Sequence, residues 1–456
     1  MKVPLLSIGL ALIFLLNGCS SALRTTAEYP QVSPLGKTGQ EYTRCSEKTF
    51  SETEITRKED SIQKLNLDKA LKLALLHNPD LAVYSLEIRA LEASTLQAGL
   101  GPNPEIEVEV ENFAGNSELG GFNSAETTLM LSQEILLGDK IKKRALAAAL
   151  ESDLAAWEYE GKRLETLTKV KKAFTEVLAV QERIELNEKL LKVSTDFLAN
   201  INRLIKAGKV NPAEASRARV IVSTIRMDIR SAKLALRSAK YHLASLCGST
   251  YPNFNEVEGV LDPLQPVPPL EKFQALLKQN PALARYEKEM EQKQAVIDVE
   301  KANAIPDVNV GAGFRRFNET HDGAFVAIVS IPIPIRDRNQ GGISEAKIRY
   351  MKTKRELAAL ETQFNSELSS VYNTLINLHH EVTTLKNEIL PDAEKAFKMI
   401  KEGSMRGRFT MLDVLDAERT FFQMQSQYIR AITDFQIAKI EIEHLIAQEM
   451  ATVEKE

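Results

Sequence analysis

The chain has 456 residues, 44% hydrophobic and 26% charged, and its 58 basic and 62 acidic residues leave a formal charge of -4. That balance offers no basic field to a polyanion, and no Lys/Arg block or aromatic-basic weave is present, which excludes nucleic-acid binding. The cysteines at 19, 45 and 247 stand outside any CxxC spacing and the histidines form no HExxH or paired His/Cys set, so no cofactor and no resident metal is expected.

The first element is an export signal over 1–18. "MKVPLLSIGLALIFLLNGC" carries one early cation, Lys2, and then an apolar run over 3–16 that is too short to span a bilayer. Its ending, "LNGC", resembles a lipobox, which implies cleavage before Cys19 and lipid attachment to its sulfur; Ser20 at the next position implies onward sorting to the outer membrane. Residues 19–64 then form an extended, lipid-anchored segment. Export places Cys45 and Cys247 where a disulfide would persist, so they either bridge or remain two separate thiols. Beyond the signal there is no run of about 18 apolar residues, so any membrane crossing must use strands.

The chain repeats itself. "NPDLAVY" at 78–84 returns as "NPALARY" at 280–286, and Pro104 and Pro306 keep the same separation of 202 residues. The prolines of "LDPLQPVPPL" mark a linker between the copies. The expected organisation is a first repeat over 65–250, a Pro-rich linker over 251–270, a second repeat over 271–449 and a tail over 450–456. Each repeat reads as a helix, two short strands, a very long helix, a glycine-bearing turn and another long helix.

Four segments have strand character: 104–113, 125–137, 306–317 and 323–335. In "EIEVEVE" the side chains alternate, so Glu105, Glu107, Glu109 and Glu111 share one face and Ile106, Val108 and Val110 the other. Thr127, Leu129, Leu131 and Ile135 share a face in the second strand, and Val308, Val310, Ala312 and Phe314 alternate with Asp307, Asn309, Gly311 and Gly313 in the third. The fourth, "AFVAIVSIPIPI", is apolar on both faces and bends where Pro332 and Pro334 approach the next helix. Each has about the 9–11 residues a tilted strand needs to cross a bilayer. Four strands cannot close around water and exposed edges are not tolerated in lipid, so the chain must oligomerise; three copies would supply twelve strands.

The helices are long. Residues 140–206 contain no proline and only Gly161, with an apolar track at Leu167, Val170, Phe174, Val177, Ile184 and Leu191 broken by Gln181 and Glu188. At about 1.5 Å per residue this helix reaches roughly 100 Å. The stretch 342–401 is interrupted only by Pro391. Heptads alone would suit a rod-like periplasmic scaffold without a pore; the strands argue against it. The turns "IKAGKVNPAEASRA" and "IKEGSMRGRFTMLDVLDAER" share I-K-x-G, and Gly208 and Gly403 suit a turn with positive φ. Met399, Met405 and Met411 carry sulfur suited to Cu(I), but a spacing of six is not one helical face, and they read as core or contact residues. His379 and His380 read as surface residues.

A duplicated protomer of long coiled α-helices plus four β-strands resembles the TolC-like outer membrane factors from about residue 65 to 447. "PNPEIEVEVENFAG" followed by "ETTLMLSQEILLGDKIKKRA" is similar to the CzcC-type heavy-metal branch, although Gly138-Asp139-Lys140 stands where a second glycine and Lys-Arg are usual. The resemblance implies a mainly α fold with a membrane β-barrel part: a homotrimer in the outer membrane with a 12-stranded barrel and a periplasmic helical tunnel. It implies a periplasmic adaptor (membrane fusion protein) and an inner-membrane RND pump as partners. The cargo would be heavy-metal cations such as cobalt, zinc, cadmium or copper; multidrug efflux and type I protein secretion are the alternatives. Glu105, Glu107, Glu109 and Glu111 would then line the lumen as twelve carboxylates, which either concentrate cations or merely hydrate the wall. The turns at Gly208 and Gly403 would form the tip that docks the adaptor. Asp413 and Asp416 would be an acidic constriction or ordinary helix-start acids. No GxSxG, Walker loop or GxGxxG is present, and no enzyme is expected.

Overall fold

The computed structural model describes residues 62–450, apart from 209, 262, 263 and 265. Cys19 and Cys45 therefore lie outside the described residues, as does the export signal. The first repeat comprises β1 (Ile62–Leu65), α1 (Leu67–His77), α2 (Pro79–Ala98), β2 (Glu105–Glu111), β3 (Glu126–Ile135), α3 (Lys140–Lys206) and α4 (Pro212–Leu246). After β4 (Phe254–Val257) the second repeat brings α5 (Leu270–Leu276), α6 (Pro281–Asn303), β5 (Val308–Phe317), β6 (Gly323–Ser330), α7 (Gln340–Thr384), α8 (Leu390–Met405) and α9 (Met411–Ile446). Among the described residues no helix is long and apolar enough to cross a membrane.

The repeated Asn-Pro motif has a mechanical role. Asn78 and Asn280 are the N-caps of α2 and α6, with proline at the first helical position. Each side-chain oxygen accepts backbone N–H groups of the first turn, from Asp80 at 2.9 Å in one repeat and Ala282 at 2.9 Å in the other. Each amide nitrogen donates the other way, Asn78 to the Leu246 carbonyl at 2.9 Å and Asn280 to the Leu445 carbonyl at 2.9 Å. One side chain thus satisfies orphan groups at two helix ends and ties the start of the short helix to the finish of its own repeat.

In α3 the apolar track is buried at Leu167, Val170, Phe174, Val177 and Ile184 and half-buried at Leu191. Val170, Phe174 and Val177 meet Ala70, Leu243 and Phe254 in one core, while Phe273, Leu368, Leu375, Phe435 and Ile442 build the other. Helix α3 packs against α2, α4, α6 and α9, and α9 continues the row to α7 and α8. The two polar breaks in the track are brackets. Gln181 donates to the Val257 carbonyl at 3.0 Å and accepts the Val257 N–H at 2.9 Å, holding β4 as a neighbouring strand would. Glu188 pairs with Lys233 of α4 at 2.8 Å.

Strands β2, β3, β5 and β6 form an antiparallel sheet in that order, leaving β2 and β6 as its edges. A second sheet, the parallel pair β1 and β4, lies where an extended segment and a linker were expected. Two other expectations change. Pro391 does not interrupt its helix: a π turn at Leu385–Ile389 links α7 to α8, since proline gives no N–H and its ring crowds the carbonyl four residues back. His379 is not a free surface residue, its ring lying 5.9 Å from that of Phe435. Cys247 is buried, donates to the Ala70 carbonyl at 3.6 Å and has its thiol pushed up to about 11 by burial, which disfavours the thiolate.

Candidate functional site

The four-stranded sheet has two chemically opposite faces, and its register defines them. Glu105, Glu107, Glu109 and Glu111 stand opposite Ser132, Met130, Thr128 and Glu126 of β3, and beyond these lie Gly311, Gly313, Arg315 and Phe317 of β5. The other face carries Ile106, Val108, Val110, Leu129, Leu131, Phe314, Phe325 and Val329, all exposed, with Ile106 at 73% and Phe325 at 86%. An apolar patch of this size is costly in water and fits a hydrocarbon surround.

The acidic face is not a bare row of carboxylates. Arg315 reaches across β3, donating Nε to Thr128 Oγ1 at 2.8 Å and Nη1 to Glu126 at 3.0 Å, while Nη2 lies 3.1 Å from Glu111 and 3.6 Å from Glu109. Among the described residues no ion pair reaches Glu105, Glu107 or Glu134. Sequence reasoning missed Arg315 and Glu126, because only the strand register brings them to this face.

At the junction with the helices, Asp139, which stands where a second glycine is usual, keeps a positive φ of 57, and the lysine after it is the anchor. The Lys140 ammonium is buried and donates to the Ile305 carbonyl at 2.6 Å and to Asp307 at 2.5 Å; Asp307 also accepts the Leu137 N–H at 2.9 Å. This cation locks the start of α3 to the entrance of β5, joining the repeats directly below the sheet.

The far ends of the helices form two turns. Gly208 has φ +70 and open space around it, as a turn glycine requires. Gly403 corrects the expectation: it sits inside the last turn of α8, and the positive φ of that connection, +74, belongs to Gly407. Gly403 is small for another reason, since a Cβ there would overlap the Phe409 ring.

Asp413 belongs to a capping box. Its carboxylate accepts the Thr410 N–H and hydroxyl, both at 2.7 Å, and the Thr410 hydroxyl accepts the Asp413 N–H at 3.2 Å. These Thr410 bonds hold the Asp413 carboxyl below the usual range. Asp416 is exposed nearly one turn further along. Met399 is exposed, Met411 accepts the Ser404 hydroxyl at 3.9 Å, and the Met405 side chain lies outside the described residues. Among the described residues no group of three His, Cys, Asp or Glu side chains could hold a metal ion.

Near the tip, α9 meets α3 through a buried carboxyl. Glu418 accepts the Ser194 hydroxyl at 2.8 Å, and burial pushes its carboxyl above the usual value near 4.5. A raised folded-state pKa means that its stabilising contribution is complete below the unfolded value and is lost as pH rises through the folded one. Glu418→Gln is therefore expected to flatten the pH dependence of stability, gaining on the wild type at pH 7 and losing that gain toward pH 4. Thermal unfolding curves across this range check it, and parallel profiles would contradict it.

Comparison with known proteins agrees with this architecture. The Outer membrane efflux protein family matches residues 70–249 and 273–448. The cobalt-zinc-cadmium resistance protein CzcC of Cupriavidus metallidurans is 31% identical over 384 residues, 84% of this chain and 90% of that protein. The nickel and cobalt resistance protein CnrC of the same organism is 26% identical over 302 residues, 66% of this chain and 70% of that one. The solved structure of the outer membrane protein VceC of Vibrio cholerae superposes with a TM-score of 0.68 at 18% identity, covering 84% of this chain and 96% of that one. With both repeats matched and this fold shared, the chain belongs to the outer membrane efflux protein family.

Proposed function

We propose that three copies of this chain close into a twelve-stranded barrel that forms the outer membrane exit duct of a tripartite RND-type efflux system for heavy-metal cations. The observation that carries this reading is the sheet: two unpaired edges, one acidic face and one exposed apolar face. In hydrocarbon an open edge leaves backbone groups unsatisfied, and closure with neighbouring copies removes it, turning the acidic face inward. Helix α4 supports the same closure. Val220, Met227, Leu234 and Tyr241 are exposed at a seven-residue spacing along it, the period of a coiled-coil seam. A second copy supplies its cover.

The cargo reading rests on the acidic lining and on relatives named for cobalt, zinc, cadmium and nickel resistance. Cys19 carries the lipid anchor. The turns at Gly208 and Gly403 dock a periplasmic adaptor, an inner-membrane pump supplies the energy, and the constriction falls to Asp416, since Asp413 is engaged by its cap.

Changing Glu105, Glu107, Glu109 and Glu111 to Gln removes twelve charges per trimer and nearly preserves shape. At about 0.15 M salt the Debye length is near 8 Å, so wall charges act across a pore of that radius and act further at low salt. The variant should lose most of its cation preference without inverting it, because Glu126 still pairs with Arg315 and Glu134 keeps its charge. Reversal potentials in a salt gradient decide the matter: equal cation selectivity in variant and wild type at low salt would remove the role given to these carboxylates.

A further inference from the structure

We infer that Arg315 is a specificity-determining residue of the duct, weakening the hold of the mouth-side carboxylates on cations so that the attraction falls off toward the exit. The inference rests on the pore reading above. The register gives the geometry: Glu109, Thr128 and Arg315 lie in one row across three strands, with Glu111 and Glu126 in the next row toward the loops. Thr128 is short enough for the guanidinium to pass over it and accepts its Nε–H at 2.8 Å. The two terminal nitrogens then face Glu126 at 3.0 Å and Glu111 at 3.1 Å, and Asn112 takes a further oxygen of Glu126 at 3.1 Å. A cation approaching these carboxylates meets a fixed positive charge and oxygens already engaged by donors.

The rows nearer the helices differ. Glu107 lies beside Met130 and Gly313, Glu105 beside Ser132 and Gly311, and Glu134 beside Asn309. The nearby Lys140 ammonium is directed to Ile305 and Asp307 instead. Among the described residues the lining therefore carries three carboxylates without an ion pair on the helix side and three sharing one guanidinium on the loop side. Conduction needs attraction strong enough for entry and weak enough for exit, and a charge placed at the last rows serves the second requirement.

The test compares Arg315→Gln with Arg315→Lys in planar bilayers, using the full-length trimer in a KCl gradient with zinc or cadmium chloride added on the loop side. Arg315→Gln removes three positive charges per trimer and should raise the potassium-to-chloride permeability ratio at low salt by about two-fold or more, with tighter block by the divalent ion. Arg315→Lys keeps the charge and should stay close to wild type in both readouts. Wild-type behaviour of Arg315→Gln, or equal shifts in both variants, would overturn the inference, since the second result marks a structural role. A wild-type channel without cation preference would instead overturn the role given to the acidic lining, and a protein that forms no channel would overturn the pore reading itself.

Discussion

Lys171→Met is expected to lower the stability of the protein by about 3–5 kcal/mol, the cost of leaving a buried ionic partner uncompensated. Lys171 of α3 lies 3.0 Å from Glu443 of α9, and the two side chains are only 10% and 7% exposed. The second oxygen of Glu443 accepts the Met450 N–H at 3.2 Å, so the carboxylate also fixes the chain just after α9. With the ammonium gone, Glu443 would stay in a site with little water and one neutral donor. Lys171→Met combined with Glu443→Gln should recover more than half of the loss, since the amide oxygen still accepts from Met450 and no charge is left buried. Lys172→Ala is the control. Its ion pair with Glu441, at 2.7 Å, has side chains 32% and 41% exposed, so its removal should cost below about 1 kcal/mol. Thermal unfolding of the protein in detergent ranks the variants, and equal midpoints for the two lysine changes would refute the assignment.

This pair is also one of the links between the two repeats. α3 belongs to the first repeat and packs against α2 and α4 there, and α9 belongs to the second and packs against α7 and α8. The Lys171 pair joins them at mid-length, the Glu418 and Ser194 hydrogen bond joins them near the tip, and Lys140 joins α3 to the Ile305 and Asp307 segment below the sheet. All three links join residues more than a hundred positions apart, and the first two are buried.

Sequence reasoning read the elements that local periodicity and composition control. A helix over 140–206 was legible because nothing breaks it and its apolar residues keep one face. The strands were legible because period-two alternation is unambiguous where glutamate and valine take turns. What stayed hidden depends on tertiary register. β1 and β4 have four residues each and no alternation to display, and their parallel pairing spans some 190 positions. Gln181 looked like a defect in an apolar track until β4 arrived beside it. Arg315 lies far along the chain from the carboxylates it clamps, and no spacing rule links a cation on one strand to acids two strands away. The misplaced turn glycine has a similar cause: "EGSMRGRF" contains two glycines, and only the helix end decides which one takes positive φ.

That difference at the tip gives the other large effect. If the turns dock the adaptor, Gly403→Val should weaken docking strongly while Gly208→Ala should weaken it only slightly. Residue 208 has open space on all sides, so alanine there meets backbone strain alone, about 1 kcal/mol at a positive φ. A side chain at 403 collides with the Phe409 ring, which must leave its seat on α8. Phe409 immediately precedes Thr410, the cap of α9, so its displacement shifts the start of that helix together with Met411, which packs against the Ile201 cluster of the neighbouring turn. One added branch therefore disturbs both turns at once. Adaptor crosslinking at the tip should fall about tenfold or more, equivalent to roughly 1.4 kcal/mol of docking energy, while trimers assemble normally because the core residues lie elsewhere. The pair Gly403→Ala with Phe409→Ala separates the causes: removing the ring makes room for the new methyl group, so crosslinking should return toward wild type. Undiminished crosslinking in Gly403→Val, or no recovery in the pair, would show that the close approach of Gly403 and Phe409 plays no part in docking.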